Sequence, residues 1–571
     1  MKRKLLYLTI GITILCNAIS CSNDFLNEKP YSSYAPETLT DDAGVEAALK
    51  GIHYTFGQLW TWADQQGWLC LWQVGTDVCS PGGIQGVEIP FFKYEDLNAE
   101  NAGVSYMWSQ CYRIINNANN ALKTIGEEGD PQKTGEALFF RGYTYNMLAT
   151  LFGDVPLLTE PTASARTDFE RTPVAQVNEQ IVEDLKYASE NLPDINDLVS
   201  ESRANKYMAM QALGEVYLRI GKPDLAEHIL NSIINSQKLS LVQSRYGVHQ
   251  NQNKPGDYFN DMFIYGNQRR SQGNTEAIWT FELEYTKNVT GGFTNAPQHR
   301  RVWVPAYHNV PGMAYEVNDP TEGMMSFYGG RGNGRMRPSN WVKYQLYEEG
   351  DMRNSEFNIT REFHYNAPNW SATIGIDANG FRVAADSPNA VEVRTVKTGD
   401  RVINAPGDTL ESMFPYTRKW DSYDPADGWG WTCIKDFPMM RLGETYLLRA
   451  EARLKNGDAS GAAADINILR DRAFSEARIE TNDPNIGKVS AGDIDMDFIL
   501  DERARELFAE ENRRMTLMRT GTLIERAQLN TESTIKGTIS GLTPRILLLP
   551  IPLSEIQRNK DVQWENNPGY L

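Results

Sequence analysis

Residues 203–237 read RANKYMAMQALGEVYLRIGKPDLAEHILNSIINSQ and predict two short helices. Apolar residues recur there at helical spacing, first at Ala209, Leu213, Val216 and Ile220 and then at Leu225, Ile229 and Ile233. Between the two runs, Gly221 suits the left-handed position that follows a helix, and Pro223 suits a first helical turn, which needs no N–H donor. Because this connection is short, the two helices are expected to pack antiparallel.

The same stretch matches the pattern of a tetratricopeptide repeat. Leu213, Gly214 and Tyr217 give the L-G-x-x-Y core, and Ala226 stands at the small position of the second helix. One helix pair cannot bury its own apolar face, so further pairs are expected. Helical patterns place them at 41–60, 104–125, 136–152, 174–191, 437–455, 459–473 and 497–513. The predicted fold is mainly α, a tetratricopeptide-like helix-pair scaffold.

The middle of the chain, residues 242–436, has a different composition. It is rich in Gly, Pro and Asn, and it contains only short alternating runs such as 277–285. We predict an irregular insert with loops and short strands, displayed on the helical scaffold. The helical parts are expected at 41–241 and 437–571.

The first twenty residues predict a secretory signal. The basic MKRK is followed by an apolar run, residues 5–15, that is too short to span a bilayer. Ala-Ile-Ser then precedes Cys21, which resembles the bacterial lipobox, where the cysteine is lipidated and becomes the mature N-terminus. We expect Cys21 as the lipid anchor and residues 21–40 as a tether and arm. Cleavage near Ser20 that leaves Cys21 as a plain thiol is the alternative.

The net charge of −18 argues against nucleic acid as a partner, because neutralising phosphates requires a basic face. After Cys16 and Cys21, the remaining cysteines stand at 70, 79, 111 and 433, with no CxxC or paired-histidine spacing. No motif for a cofactor is present either, so neither a metal nor a cofactor is predicted. Cys70 and Cys79 are compatible with a disulfide or with two buried thiols.

Four passages, in order along the chain, carry a family resemblance. They read MWSQCYRIINNANNAL at 107–122, EALFFRGYTYNMLATLFGDVPLL at 136–158, FPMMRLGETYLLRAEARLKNGDASGAAADINILRDRA at 437–473 and LLLPIPLSEIQRNKDVQWENNPGY at 547–570. Together they resemble signatures of the SusD/RagB family of outer-membrane nutrient-binding lipoproteins. The resemblance implies a helix-pair scaffold whose irregular inserts form a glycan-binding face.

The resemblance also implies a location and a partner. The protein would face the cell exterior on the outer membrane, held there by its N-terminal lipid. Its partner would be a TonB-dependent, SusC-like transporter, to which it delivers captured oligosaccharide. This role is non-catalytic.

Aromatic residues beside polar ones are the sequence feature that suits a glycan ligand. A pyranose ring presents a face of C–H groups that a flat aromatic side chain covers, while polar neighbours bind the hydroxyls. Three passages carry this combination, at 77–101, 293–315 and 420–431, and the family builds its ligand face from loops at the first two. The candidate ligand-binding residues are Asp77, Phe92, Tyr94, Asn101, Arg301, Trp303, Tyr307, Trp429 and Trp431.

Two other functions stay open at this point. A peptide-binding relative would use the same scaffold with hydrogen bonds directed at the peptide backbone. A glycoside hydrolase needs only two carboxylates that flank the sugar, and Glu282 and Glu284 share one face of a predicted strand. Solvated carboxylates of this kind are far commoner than catalytic ones, so no enzyme activity is expected.

Overall fold

Helices dominate the computed structural model, which describes residues 42–60, 67–83, 86–162, 164–251, 254–283, 298–314, 328–422, 435–533 and 537–570. Within these residues, eleven helices have seven residues or more. They are α1 (Asp42–Gly57), α2 (Ala102–Ile125), α3 (Pro131–Phe152), α4 (Val174–Asn191), α5 (Lys206–Arg219), α6 (Pro223–Ile234), α7 (Leu442–Lys455), α8 (Ala459–Ala473), α9 (Ser475–Thr481), α10 (Met496–Leu507) and α11 (Arg513–Arg519). Shorter helices are Gly67–Cys70, Tyr258–Asp261, His299–Trp303, Asn340–Tyr344, Asp408–Glu411, Leu523–Ala527 and Leu553–Arg558.

Helices α5 and α6 confirm the predicted helix pair. The side chain of Asn205 caps α5 by accepting hydrogen bonds from the backbone N–H groups of Tyr207 and Met208 at 3.0 and 3.2 Å. Gly221 adopts a left-handed φ of 72°, and α6 begins at Pro223. A Cβ added at Gly214 would lie 2.9 Å from Cδ2 of Leu230, so the two helices approach too closely there for a larger residue.

The helices form a continuous array in which neighbours in sequence pack together. Contacts run from α1 to α2 and onward, pair by pair, to α6. Helix α6 then packs against α7, although residues 235–441 separate them in sequence. The predicted mainly helical scaffold is therefore confirmed, and its two halves meet at the contact between α6 and α7.

Two predicted helices differ from the structure. The stretch 437–455 was expected to be one helix, but Phe437–Arg441 is a strand and the helix begins at Leu442. The stretch 497–513 was also expected to be continuous, but α10 ends at Leu507 and α11 starts at Arg513. The chain turns between them at Ala509, whose φ is +65°.

Strands are short and pair antiparallel. They are β1 (Cys79–Pro81), β2 (Ala277–Phe281), β3 (Met336–Pro338), β4 (Ile359–Thr360), β5 (Ser371–Ile376), β6 (Arg382–Val383), β7 (Glu392–Lys397), β8 (Tyr416–Thr417) and β9 (Phe437–Arg441). Strand β1 pairs with β3, β2 with β9 and β4 with β8, while β6, β5 and β7 form a three-stranded sheet in that order. The β2–β9 pair places the two ends of the long irregular region side by side, with Phe281 opposite Phe437.

The irregular region has apolar cores of its own. One cluster of buried residues includes Val304, Tyr307, Tyr328, Phe363 and Tyr416, and it is separate from the main helical core. Loops this long need such local cores, because backbone ordering costs about 1–2 kcal/mol per residue. Aromatic residues in these loops thus stabilise the loops themselves.

Buried ion pairs join this region to the C-terminal helices. Arg353 contacts the carboxylates of Asp351 and Glu502, each at 2.7 Å, and that of Glu506 at 3.1 Å. All four side chains are fully buried. A buried charge is stable only when it is paired in this way, so Arg353 fixes its loop to α10.

The cysteines in the described residues, Cys70, Cys79 and Cys111, are free thiols. All three are buried, and burial raises their pKa values. Cys70 and Cys79 are therefore two buried thiols and do not form a disulfide with each other. Cys433 and the proposed anchor Cys21 lie outside the described residues.

Candidate ligand-binding cleft

An open, shallow cleft lies where the helix array meets the C-terminal helices. Helix α5 contributes Gln211 and Glu215, α7 contributes Glu444, and α10 contributes Arg503. Strand β9, Leu507, residues 510–516 and single aromatic residues from four other parts of the chain complete the lining.

Aromatic rings form one part of this lining. The imidazole of His299 stacks on Trp420, with ring centroids 4.0 Å apart and planes 19° apart. Phe437, the first residue of β9, packs against Trp60 with ring centroids 5.9 Å apart. Burial lowers the pKa of His299 to about 3, so this ring is neutral at physiological pH. These four rings are only 2–8% exposed, so they form the buried floor of the cleft.

Paired charges form another part of the lining. Nε of Arg441 donates to Oε2 of Glu510 at 2.8 Å, and Nη2 of Arg503 donates to Oε2 of Glu511 at 2.7 Å. Burial alone would raise the pKa of Glu511, but Arg503 and Arg513 outweigh burial and hold this pKa at about 2. Glu511 is therefore ionised, and both carboxylates are already bound to arginines.

Glu444 has a different electrostatic environment. Its Oε1 accepts a hydrogen bond from Nη2 of Arg503 at 2.9 Å, and its Oε2 accepts one from Nε2 of Gln211 at 2.9 Å. Burial raises the pKa of Glu444 to about 7, and the carboxylates of Glu215 and Glu511 act in the same direction against the influence of Arg503. Near neutral pH, this side chain therefore exchanges readily between its charged and neutral forms.

Two buried polar atoms of the lining have no hydrogen-bond partner among the described residues. They are Nη1 of Arg503 and Nδ1 of His299. Leaving such an atom without a partner costs about 1–3 kcal/mol, so it is uncommon unless it has a use. Together with the charged and amide side chains of the lining, these atoms make the cleft the candidate ligand site.

Seven of the nine residues predicted to bind ligand are buried in the protein interior. Asp77 accepts hydrogen bonds from Arg513 and Arg526, and the side chain of Asn101 caps α2 by accepting from the backbone N–H groups of Gly103 and Val104. These contacts give Asp77 and Asn101 structural roles. These structural roles account for the two polar residues of this passage, and no ligand is needed to explain them.

The predicted aromatic residues of the first passage are also interior. Phe92 is fully buried. The hydroxyl of Tyr94 donates to the carbonyl oxygen of Gly75 at 2.8 Å and accepts from Nη1 of Arg514 at 2.8 Å. Both rings thus pack beneath the surface, against their predicted place in an exposed binding loop.

The predicted residues of the second passage, 293–315, are also buried. Trp303 packs edge-on against Phe508, with ring centroids 5.2 Å apart, and is 1% exposed. The hydroxyl of Tyr307 donates to the carbonyl oxygen of Gly330 at 2.9 Å, and Arg301 is 3% exposed. The structure therefore corrects the predicted surface position of these three side chains. Trp429 and Trp431 lie outside the described residues.

Sequence reasoning did not select the residues that line the cleft. Gln211 was one available signal, since it is a polar residue within the apolar face of a helix and is 2% exposed in the structure. Glu444 and Arg503 carried no comparable signal, because charged residues are common in amphipathic helices. Contact between them depends on the fold, which brings α5, α7 and α10 together.

These features define a helix-pair scaffold that carries long irregular inserts and an aromatic, charge-lined cleft. A sequence model described as the SusD family matches residues 275–570, and one described as starch-binding associating with outer membrane matches residues 24–218. The chain belongs to the SusD family. No helix in the described part of the chain combines the length and the apolar character that crossing a bilayer requires.

Individual relatives agree with this membership. SusD-like protein P25 of Formosa agariphila is 25% identical over 97% of this chain and 97% of its own length. Starch-binding protein SusD of Bacteroides thetaiotaomicron is 33% identical over 24% of this chain and 22% of its own length.

Solved structures share the fold. Surface glycan-binding protein A from Bacteroides fluxus superposes with a TM-score of 0.65 at 20% identity, covering 93% of this chain and 100% of that protein. A laminarin-binding SusD-like protein gives a TM-score of 0.62 at 20% identity, covering 93% of this chain and 100% of its own.

Proposed function

We propose that the protein captures oligosaccharide at the cell surface and delivers it to a TonB-dependent, SusC-like transporter without cleaving it. The observation that carries this proposal is the SusD-family match over residues 275–570. The names of one relative and two structural neighbours, which refer to starch, surface glycans and laminarin, support a carbohydrate ligand. Lipidation of Cys21 would hold the protein on the outer membrane.

The cleft supports a binding role. The partly exposed carboxylates of Glu215 and Glu444 offer hydrogen-bond partners for hydroxyls. The carboxylates of Glu510 and Glu511 each accept hydrogen bonds from an arginine, rather than standing free on either side of a space. Glu282, one of the two residues considered for a hydrolase, lies 3.0 Å from Nη1 of Arg269, while Glu284 lies outside the described residues.

Calorimetric titration of the purified mature protein tests the proposal. The titrants are oligosaccharides of starch and laminarin type, other glycans of similar length, and peptides of matched size. Saturable binding of at least one glycan, with no new reducing ends on prolonged incubation, is the expected result. Binding of peptides alone would replace the proposal with peptide uptake, and release of reducing ends would replace it with hydrolysis.

A further inference from the structure

Strand β7 is an exposed edge of the three-stranded sheet. The strands follow the order β6, β5, β7, and among the described strands β7 pairs only with β5. The first four residues of β7 are all exposed, with Val393 at 54%, and Val391, directly before the strand, is 70% exposed. An exposed strand edge is a template for pairing with another strand, and proteins usually protect it. Two exposed valines do not give such protection.

The backbone of β7 presents hydrogen-bonding groups along this edge. The N–H of Thr398 donates to the carbonyl oxygen of Trp370 at 3.0 Å, in register with the β5–β7 pair, so the even-numbered residues of β7 bond to β5. The N–H and C=O groups of the odd-numbered Val393 and Thr395 therefore point away from β5. Neither residue has another backbone partner in the described part of the chain. Both are thus open to an added strand.

Packing beneath the sheet holds this edge in place. Ile374 of β5 and Val396 of β7 are buried in the apolar cluster that also contains Tyr307. On the outer face, the side-chain hydroxyls of Thr373 and Thr395 lie 3.3 Å apart across the strand pair. An edge that is already ordered loses little conformational freedom when a partner strand joins it.

The charges of β7 indicate which partner strand fits. Glu392 and Arg394 lie on one face of the strand, and their side chains are 55% and 50% exposed. Nε of Arg394 lies 3.6 Å from Oε1 of Glu392, which is a weak surface pair. An antiparallel partner strand is favoured when it places a cation opposite Glu392 and a carboxylate opposite Arg394. Strand β7 itself carries these charges when it is read backwards about Val393.

One register brings two copies of β7 together favourably. With a two-fold axis at Val393, this residue faces its own equivalent, and Glu392 of each copy faces Arg394 of the other. The free backbone groups of Val393 then meet those of the second copy. Moving the axis by one residue places Glu392 opposite Glu392, or Arg394 opposite Arg394, and like charges in that position are destabilising. The sequence of β7 therefore selects the axis at Val393.

We propose that two copies of this protein associate through antiparallel pairing of their β7 strands about Val393. The two three-stranded sheets become one sheet of six strands, with Val391 of each copy beside Thr395 of the other. Both exposed edges are used in this contact, so association ends at a dimer. The inference concerns a surface outside the candidate ligand cleft and is independent of which nutrient is bound.

Sedimentation velocity of the mature protein, produced without its lipid, tests the inference between about 1 µM and about 1 mM. The mean mass is expected to rise toward that of a dimer. Glu392→Arg alone and Arg394→Glu alone place like charges opposite each other and should each weaken association by about tenfold or more. An equimolar mixture of these two variants should associate again, because the two cations of one face the two carboxylates of the other. Asp168→Arg, at an exposed pair outside the sheet, is the control and should change nothing.

Cysteine substitution tests the register. Val393→Cys places two thiols opposite each other, with Cα atoms about 5.5 Å apart, which is within the range of a disulfide. Val391→Cys is the matched control, because its two thiols would be separated by about 14 Å along the strands. Mild oxidation should therefore crosslink the first variant much faster than the second. The native cysteines in the described residues are buried and do not compete.

Three results would overturn the proposed dimer. The first is a protein that stays monomeric over the whole concentration range. The second is a dimer that the charge variants leave unchanged, or equal crosslinking of the two cysteine variants, since another surface then joins the copies. The third is a monomer whose capture by a SusC-like transporter is weakened by the β7 variants, which would assign this edge to the transporter. Because the substituted side chains are exposed, the variants should keep the melting temperature of the natural protein.

Discussion

Asp77 and Arg513 form a bidentate ion pair that joins the N-terminal part of the chain to its C-terminal part. Nε of Arg513 donates to Oδ1 of Asp77 at 2.9 Å, and Nη2 donates to Oδ2 at 2.6 Å. Arg526 adds a hydrogen bond to Oδ2 at 3.0 Å, and all three side chains are buried. The passage before β1 is thereby held against α11.

Replacing Asp77 with Asn should therefore destabilise the protein strongly. Removing one partner of a buried ion pair typically costs about 3–5 kcal/mol, because the remaining charge stays buried without compensation. Urea denaturation followed by tryptophan fluorescence measures the change. The exposed carboxylate of Asp168 is the control, and Asp168→Asn should change the midpoint little. Equal midpoints for the two variants would contradict the structural role of Asp77.

Trp303→Ala should weaken folding rather than ligand binding. The indole is 1% exposed and packs edge-on against Phe508, so truncation leaves a cavity that costs about 3–5 kcal/mol. Thermal unfolding measures the loss, and titration at low temperature measures glycan affinity per folded molecule. A normal melting temperature combined with lost glycan affinity would instead assign Trp303 to the ligand site.

Glycine-to-alanine substitutions test the close packing of α5 and α6. Gly214→Ala places a Cβ 2.9 Å from Leu230, and this overpacking is expected to cost about 1 kcal/mol after the gain in helix propensity. Gly51→Ala, inside α1 with open space around the new Cβ, is the matched control and should stabilise by about 0.5–1 kcal/mol. Effects of the same sign in both variants would argue against a close contact at Gly214.

Glu444 should make stability depend on pH. Its pKa is about 7 when folded and about 4.3 when unfolded, so the folded state keeps the proton to higher pH. The stability that this proton contributes is present below about pH 4.3 and is lost as pH rises to 7. Glu444→Gln should therefore gain stability over the natural protein as pH rises from 4.5 to 8, by on the order of 3 kcal/mol. If the difference in melting temperature between the natural protein and the Glu444→Gln variant did not change with pH, the raised pKa of Glu444 would be contradicted.

Helices with strong periodicity were predictable from the sequence. The predicted range 174–191 matches α4 at both ends, and the Gly221–Pro223 connection has the expected geometry. Phe437–Arg441 was not predictable, because it becomes a strand only by pairing with β2, far away in sequence. The end of α10 was missed for the same reason, since Arg513 must turn back to reach Asp77.

The ligand site was less predictable than the fold. Aromatic residues beside polar ones occur in exposed binding loops, but the same combination also builds the small cores of long loops, as Tyr307 shows with its hydrogen bond to Gly330. Sequence spacing does not distinguish the two cases. The cleft residues Gln211, Glu444 and Arg503 become neighbours only when three helices pack.

The pairing of β2 with β9 has a consequence for how this scaffold changes over evolutionary time. The chain leaves the helix array at Phe281 and returns at Phe437, two residues that face each other across one strand pair. Insertions or deletions between them leave both attachment points in place, provided that Arg353 keeps its anchor on α10. Mutation can therefore remodel the irregular region while the folding of the array is conserved, so relatives are expected to differ in length most between these two residues.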